Sequence, residues 1–214
     1  MPKSILSDGV YNRLLNAILK GKIKPGMNLR EEHIAEDFAV SRTPVREALR
    51  KLSEEGFVEY VPHRGARLVT PTPDLAREIF QIREALEAVA AREASTRISE
   101  PRLKHLRNHF ETIRPRIAAG DLKDVGDLLH DEIFAACGNT RLQQLVQVFR
   151  GQIRWLQSIS SQMPDRLHSA FREHESVLSA LESHNPDWAE SAIRAHIRNT
   201  LSDLQRCLSG NTAA

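Results

Sequence analysis

Apolar and polar positions follow a helical period through most of the chain, most clearly in VSRTPVREALRKLSEEG, from Val40 to Gly56. Val45, Ala48, Leu49 and Leu52 keep the i, i+3, i+4, i+7 spacing of one helix face. Ser41 or Thr43 can cap the start, Pro44 is tolerated in a first turn, and Gly56 can end the helix in the left-handed conformation. Arg42, Arg46 and Arg50 recur every four residues on the opposite face. A short helix with a dry back and an arginine front suits the DNA major groove, where a forked Arg–guanine contact is the commonest specific one. The competing reading is an ordinary solvated basic helix.

The flanking pattern favours the first reading. A helix is expected over about Ser7–Lys20, with Val10, Leu14, Leu15, Ile18 and Leu19 on one side, then a turn at KGKIKPG. A second short helix, about Arg30–Phe38, buries Ile34, Ala35 and Phe38, and Ala39-Val40 turns into the arginine helix. Helix, turn and helix at this spacing form a DNA-binding unit. Residues 57–61 and 66–69 then alternate like two strands, joined by Pro62-His63-Arg64-Gly65, which makes a wing. An arginine beside a glycine at its tip suits phosphate or minor-groove contact, the alternative being a plain hairpin tip.

Thr70–Asp74, with two prolines, reads as a stiff linker, so the chain divides into residues 1–72 and 73–214. Everything beyond is helical in pattern. EIFQIREALEAVAAREAS puts Ile79, Ile82, Leu86, Val89 and Ala90 on one face. A helix capped by Ser99 carries Leu103, Leu106, Phe110, Ile113 and Ile117, with Pro115 expected to kink or break it. Helices over Leu122–Cys137, Leu142–Ser160 (stripe Leu145, Phe149, Ile153, Leu156), Asp165–His184 and Pro186–Leu208 follow, and residues 209–214 read as a frayed tail. The expected fold is mainly α: an N-terminal winged helix-turn-helix and a C-terminal all-α antiparallel bundle.

Composition changes this picture little. Across 214 residues the net charge is +2, yet residues 1–72 carry 12 Lys/Arg against 9 Asp/Glu, so the basic excess lies with the expected DNA unit. Cys137 and Cys207 stand far apart, which fits a reducing compartment. No apolar run is long enough for a membrane span and no signal-peptide region opens the chain, so a cytoplasmic protein without a membrane partner is expected.

Histidines supply the candidate chemistry. His174 falls in the stripe Leu167, Phe171, His174, Leu178, Leu181; His130 has Ile133 and Phe134 three and four residues on; His196 stands at the edge of the inner face of its helix. Singly, an inward histidine is most often a hydrogen-bonded core residue. Three on three helices are costly to bury unless something joins them, and neutral imidazole is the commonest metal ligand. Asp127, three residues before His130, shares its helix face. Such a set suits a divalent transition metal, zinc foremost, with nickel, manganese and iron as alternatives. His105 and His109 flank their apolar stripe and read as exposed.

The motifs L-x-x-A-I-L-x-G-x-I-x-P-G, A-x-x-F-x-V-S-R-T-P-V-R-E-A-L-x-x-L-x-x-E-G-x-V and the RG wing tip resemble the DNA-binding domain of GntR-family bacterial regulators. That resemblance implies that Ser41, Arg42, Thr43 and Arg46 contact operator DNA, with Gly65 and Arg64 acting from the wing; Arg50 joins them as the third residue of the arginine stripe. QIREALE, HDEIFAACGN, EHxxVLxAL and AxxAIxxH are similar to the helical FCD effector domain of the family's fatty-acid-regulator (FadR) branch. Many of its members hold a metal through three histidines and an aspartate and bind a small carboxylic acid against it. His130, His174 and His196 match the histidines; the usual aspartate position is Gly126, with Asp127 one step later. Arg83, in the R-x-x-L-E signature, is the expected partner of the effector carboxylate, the alternative being a surface salt bridge to Glu87. The expected function is a homodimeric regulator, a repressor in the commoner mode, reading a pseudo-palindromic operator under control of a small organic acid. A metal-free acyl or organic-acid pocket is the alternative. A metalloenzyme is disfavoured, since no Glu or second His stands as general base and catalysis has no use for a winged helix.

Overall fold

The computed structural model describes residues 3–62, 64–118, 127–160 and 166–210, apart from the side chains of residues 3–6, 118 and 127. The N-terminal part runs α1 (Lys3–Leu19), β1 (Asn28–Leu29), α2 (Glu31–Phe38), α3 (Arg42–Glu54), β2 (Val58–Val61) and β3 (Gly65–Leu68). Val45, Ala48, Leu49 and Leu52 are all buried, so α3 turns the expected face inward, onto Val10, Leu14 and Ile18 of α1. Ser41 takes the N-cap position without a side-chain cap hydrogen bond, and Gly56 at φ +75° carries the chain out of the helix. The strands pair antiparallel in the order β1-β3-β2, with Val61 opposite Gly65. Strand β1 lies within the expected KGKIKPG–Arg30 connection and is too short for a period to register. Phe38, expected in the core, is half-buried.

Six helices follow: α4 (Pro73–Ser95), α5 (Glu100–Ala118), α6 (Asp127–Ala136), α7 (Thr140–Ser160), α8 (Arg166–Glu182) and α9 (Pro186–Gly210). The linker is shorter than expected, because the Leu75 N–H donates to Thr72 Oγ1 (3.1 Å) and Pro73 already stands in the first turn of α4. Helix α4 is the axis of the bundle, packed along α9 and touching α6, α7 and α8. Its inward face departs from expectation in part: Ile79 and Ala90 are buried as expected, but Ile82 and Val89 are 39% and 45% exposed, and Ala76, Phe80, Arg83, Glu87, Ala91 and Ala94 are buried as well. Small residues let the α9 backbone approach closely, and paired charges fill the remaining inward positions. Leu145 of α7 likewise faces outward, its place taken by Leu142 and Val146. Pro115 neither ends nor breaks α5; it sits on the exposed side of the last turn, where its missing N–H removes one hydrogen bond. The expected segment 122–126 of α6 and residues 211–214 of the tail lie outside the described residues, while Ser209 and Gly210 still belong to α9.

The two parts meet through α7. Trp155, 3% exposed, enters the N-terminal core and stacks obliquely on Phe57 with ring centroids 5.6 Å apart. A Cβ on Gly151 would stand 2.9 Å from the Phe57 ring, so this approach requires glycine. Gln152 Nε2 donates to the Gly56 carbonyl (3.3 Å), at the outgoing end of α3.

Candidate functional site

The residues expected to face DNA come from α3 with its N-cap and from the wing. Ser41, Arg42, Thr43, Arg46 and Arg50 are exposed along α3, and Arg64 and Gly65 are exposed where β3 begins. Arg42, Arg46, Arg64 and Gly65 line one shallow depression with Asn28, Arg30, Glu31 and Tyr60. Arg50 instead pairs with Glu54 (3.2 Å) along its own helix. Arg46 forks onto Glu31, and this bond, more than the opposing effect of burial, holds the Glu31 carboxyl below its ordinary range. Sequence reasoning missed Glu31 and the half-exposed Tyr60 (51%). An acidic residue in a helix's first turn looks like a dipole partner, and Tyr60 looks like a strand residue; neither carries a signal pointing at α3.

The three histidines converge inside the bundle from α6, α8 and α9. Their ring centroids are 5.2 Å (His130–His174), 5.3 Å (His130–His196) and 4.3 Å (His174–His196) apart. One ligand nitrogen from each lies within 4.8 Å of the others, close enough to hold a metal. Two carboxylates, the buried Glu87 and the partly buried Glu173, select the tautomers. Glu87 Oε2 accepts from His130 Nδ1 (2.6 Å) and Glu173 Oε2 accepts from His196 Nδ1 (2.8 Å). Each bond puts the ring proton on Nδ1 and the lone pair on Nε2, as in carboxylate–histidine–metal arrangements, and on His130 that lone pair accepts from Arg83 Nη2 (3.2 Å). His174 Nε2 faces His196 Nε2 at 3.1 Å, near the roughly 3.3 Å that two imidazole nitrogens adopt on one tetrahedral zinc. His174 Nδ1 is buried without a hydrogen-bond partner among the described residues. The donor set therefore fits a divalent metal. Burial, reinforced by neighbouring positive groups, pushes His174 and His196 well below the usual imidazole range, so both stand neutral, the form that ligates. His196 is 2% exposed, deeper than the expected edge position. Asp127 opens α6, but its side chain lies outside the described residues. His105 is exposed and His109 half-buried, and neither joins a metal-capable group among the described residues.

Arg83 sits against this cluster, 1% exposed. Its Nε donates to Glu87 Oε1 (2.6 Å) and its Nη2 faces His130 Nε2 (3.2 Å), while Nη1 has no partner among the described residues. The pair with Glu87 exists, but it is buried, not a surface bridge. Burial opposes the Glu87 charge, yet Arg83 and His130 outweigh it together and hold the carboxyl at about 2. Arg83, Glu87 and His130 form one wall of a narrow open cleft with a cavity of only about 40 Å³, completed by Phe134, Val146, Arg150, Ile153 and Gln157. The Glu87 bond to His130 was not foreseen, nor were Glu173 and Arg166, which bonds Glu173 and Thr200. A glutamate on an amphipathic helix looks solvated until its partners on other helices are known.

A winged helix presenting arginines, joined to a bundle of helices, is the architecture of a DNA-binding regulator. Residues 6–68 match the model for bacterial regulatory proteins of the gntR family, and residues 78–199 match that for the FCD domain. The chain belongs to the GntR family, in the branch that carries an FCD domain. It is 26% identical to the HTH-type transcriptional repressor RspR of Escherichia coli, over 99% of this chain and 94% of that protein. It is 27% identical to a probable D-xylose utilization operon transcriptional repressor of Paenarthrobacter nicotinovorans, over 92% and 88%. In fold it resembles E. coli McbR/YncC, with a TM-score of 0.76, 20% identity and coverage of 94% and 97%. It is thus a DNA-binding transcription regulator with repressors among its relatives, and not an enzyme. No helix among the described residues is long and apolar enough to cross a membrane.

Proposed function

We propose that the protein is a homodimeric, cytoplasmic repressor whose hold on a pseudo-palindromic operator is set by a small carboxylate bound beside a divalent transition metal, zinc first. Residues 1–72 bind DNA through Ser41, Arg42, Thr43, Arg46 and Arg50, with Arg64 and Gly65 from the wing. Residues 73–214 sense the effector. The observation that carries this reading is the convergence of one ligand nitrogen each from His130, His174 and His196 to within 4.8 Å, with Glu87 and Glu173 accepting from Nδ1 of His130 and His196 so that the lone pair of both rings lies on Nε2. His130, His174 and His196 would hold the ion, with Asp127 as candidate fourth ligand. Bound there, the metal supplies a Lewis-acidic anchor for an anionic oxygen. The unpartnered Nη1 of Arg83 at the cleft wall supports a carboxylate as the ligand. Helix α7 offers a route outward: Val146, Arg150 and Ile153 line the cleft, while Gly151, Gln152 and Trp155 meet Phe57 and Gly56. An effector acts only as far as it binds the DNA-competent and DNA-incompetent arrangements unequally.

The test is elemental analysis of untagged protein beside a His174→Ala variant, followed by thermal shifts of zinc-loaded and chelated protein with a panel of small carboxylates. About one transition metal per chain, lost in the variant, with carboxylate stabilisation only in loaded protein, is the expected result. Metal-free wild type that refuses added zinc would refute it. The second reading, histidines as hydrogen-bonded core around a metal-free acid pocket, is favoured by the Arg83 Nη2–His130 Nε2 contact. It predicts carboxylate stabilisation that persists in chelator.

A further inference from the structure

Glu31 opens α2, yet its carboxylate is engaged by α3. Arg46 Nε donates to Glu31 Oε1 at 3.0 Å and Arg46 Nη2 to Oε2 at 2.8 Å, a two-pronged, side-on pair. Arg42 Nη2 lies 3.7 Å from the same Oε2 and 3.1 Å from Glu32 Oε1. The Glu31 side chain is 21% exposed and that of Arg46 64%, so the pair has a sheltered foot and an open head. A planar guanidinium carries five N–H groups in a fixed fork. The side-on pair occupies the Nε/Nη2 edge. The end edge, one N–H from Nη1 and one from Nη2, remains available, and an edge of that shape forks onto guanine O6 and N7. A carboxylate in a depression lined by Arg30, Arg42, Arg46 and Arg64 weakens attraction for phosphates, which every sequence offers equally. What it gives in exchange is direction: a side chain already held loses less rotamer freedom on binding.

We propose that Glu31 is the positioning residue of base recognition, holding Arg46 side-on so that its end edge reads one guanine of the operator, and lowering affinity for unrelated DNA as it does so. This rests on the reading that α3 faces the operator bases.

The test uses the full chain and a duplex selected by wild-type protein from a randomised pool. Fluorescence anisotropy at one fixed salt concentration then compares that duplex, versions with each G·C pair replaced in turn, and an unrelated duplex. Arg46→Ala should lose preference at one G·C pair. Glu31→Gln should lose about tenfold of the preference at the same pair, while binding the unrelated duplex at least as tightly as wild type. Glu31→Asp should recover part of the loss, and the Glu31→Gln/Arg46→Ala double variant should lose no more than Arg46→Ala alone. Full preference in Glu31→Gln beside its loss in Arg46→Ala overturns the proposal and leaves the reading of α3 standing. Equal weakening on all duplexes marks a structural role only and also overturns it. No loss at any pair in Arg46→Ala overturns the reading beneath as well.

Discussion

Replacing Glu87 with glutamine removes one charge from a sealed ionic cluster while keeping its shape. Glu87 is 3% exposed and bridges Arg83 Nε (2.6 Å) and His130 Nδ1 (2.6 Å). Its carboxyl is held at about 2 against an ordinary 4.5, which corresponds to about 3 kcal/mol of stability at neutral pH. Breaking a buried pair by removing one partner costs roughly 3–5 kcal/mol, which agrees. For a chain of this size the loss lowers Tm by roughly 6–12 °C. The sign with pH follows from the direction of the shift. A depressed carboxyl contributes fully above its unfolded value of 4.5 and loses that contribution as pH falls towards about 2. The gap between wild type and Glu87→Gln should therefore stay level from pH 8 to about 5 and narrow below 4.5. Urea unfolding at several pH values measures it, and isothermal titration with zinc adds a second reading, a roughly 10–100-fold weaker affinity if Glu87 orients a ligand. A variant within 1 kcal/mol of wild type at pH 7 would refute the claim that this carboxylate anchors the cluster.

Burial keeps His174 and His196 neutral, so the unfolded chain binds more protons below its ordinary imidazole value of 6.5. Metal-free protein should lose stability as pH falls below that value, by up to about 1.4 kcal/mol per pH unit per histidine, and a Tm flat between pH 7.5 and 5.5 in chelator contradicts it. Gly151→Ala places a methyl 2.9 Å from the fully buried Phe57 ring; a loss of roughly 1–3 kcal/mol and faster proteolysis between the two parts are expected, and unchanged protection argues against a tight junction. Ala39 ends α2 with φ at 53°, a conformation that disfavours a Cβ; Ala39→Gly should raise stability by about 0.5–1 kcal/mol, and a lower urea midpoint would count against that strain.

How far the sequence carried the argument depended on the range of the interactions. The arginine helix and the wing were legible because α3 has its whole pattern within thirteen residues, with Gly56 as its stop. Inward placement of His174 followed from the apolar stripe around it. The inward face of α4 is legible at Ile79 and Ala90 and not at Ile82 and Val89: size reads as burial in a sequence, yet further inward positions of this tightly packed helix go to Ala76, Ala91 and Ala94. The bonds of Glu87 and Glu173 to the histidines were invisible for a related reason. Their partners His130 and His196 lie 43 and 23 residues away, and nothing local separates a glutamate that will be sealed from one that will be solvated.

The same long-range pairs explain why the cluster is polar at all. An apolar residue at position 83 or 87 would pack α4 against α6 without desolvating charge, and such replacements are often neutral or stabilising. Arg83, Glu87, His130, His174 and His196 instead leave two atoms without partners among the described residues, Arg83 Nη1 and His174 Nδ1. Structural networks of this kind normally close on themselves, because a half-satisfied one is worse than an apolar core. Both unpartnered atoms belong to residues of the cluster, and Arg83 and His130 line the cleft bordered by α7, the helix whose Trp155 enters the core of the DNA-binding part. The cost of keeping them is better accounted for by something that binds there than by the fold they interrupt.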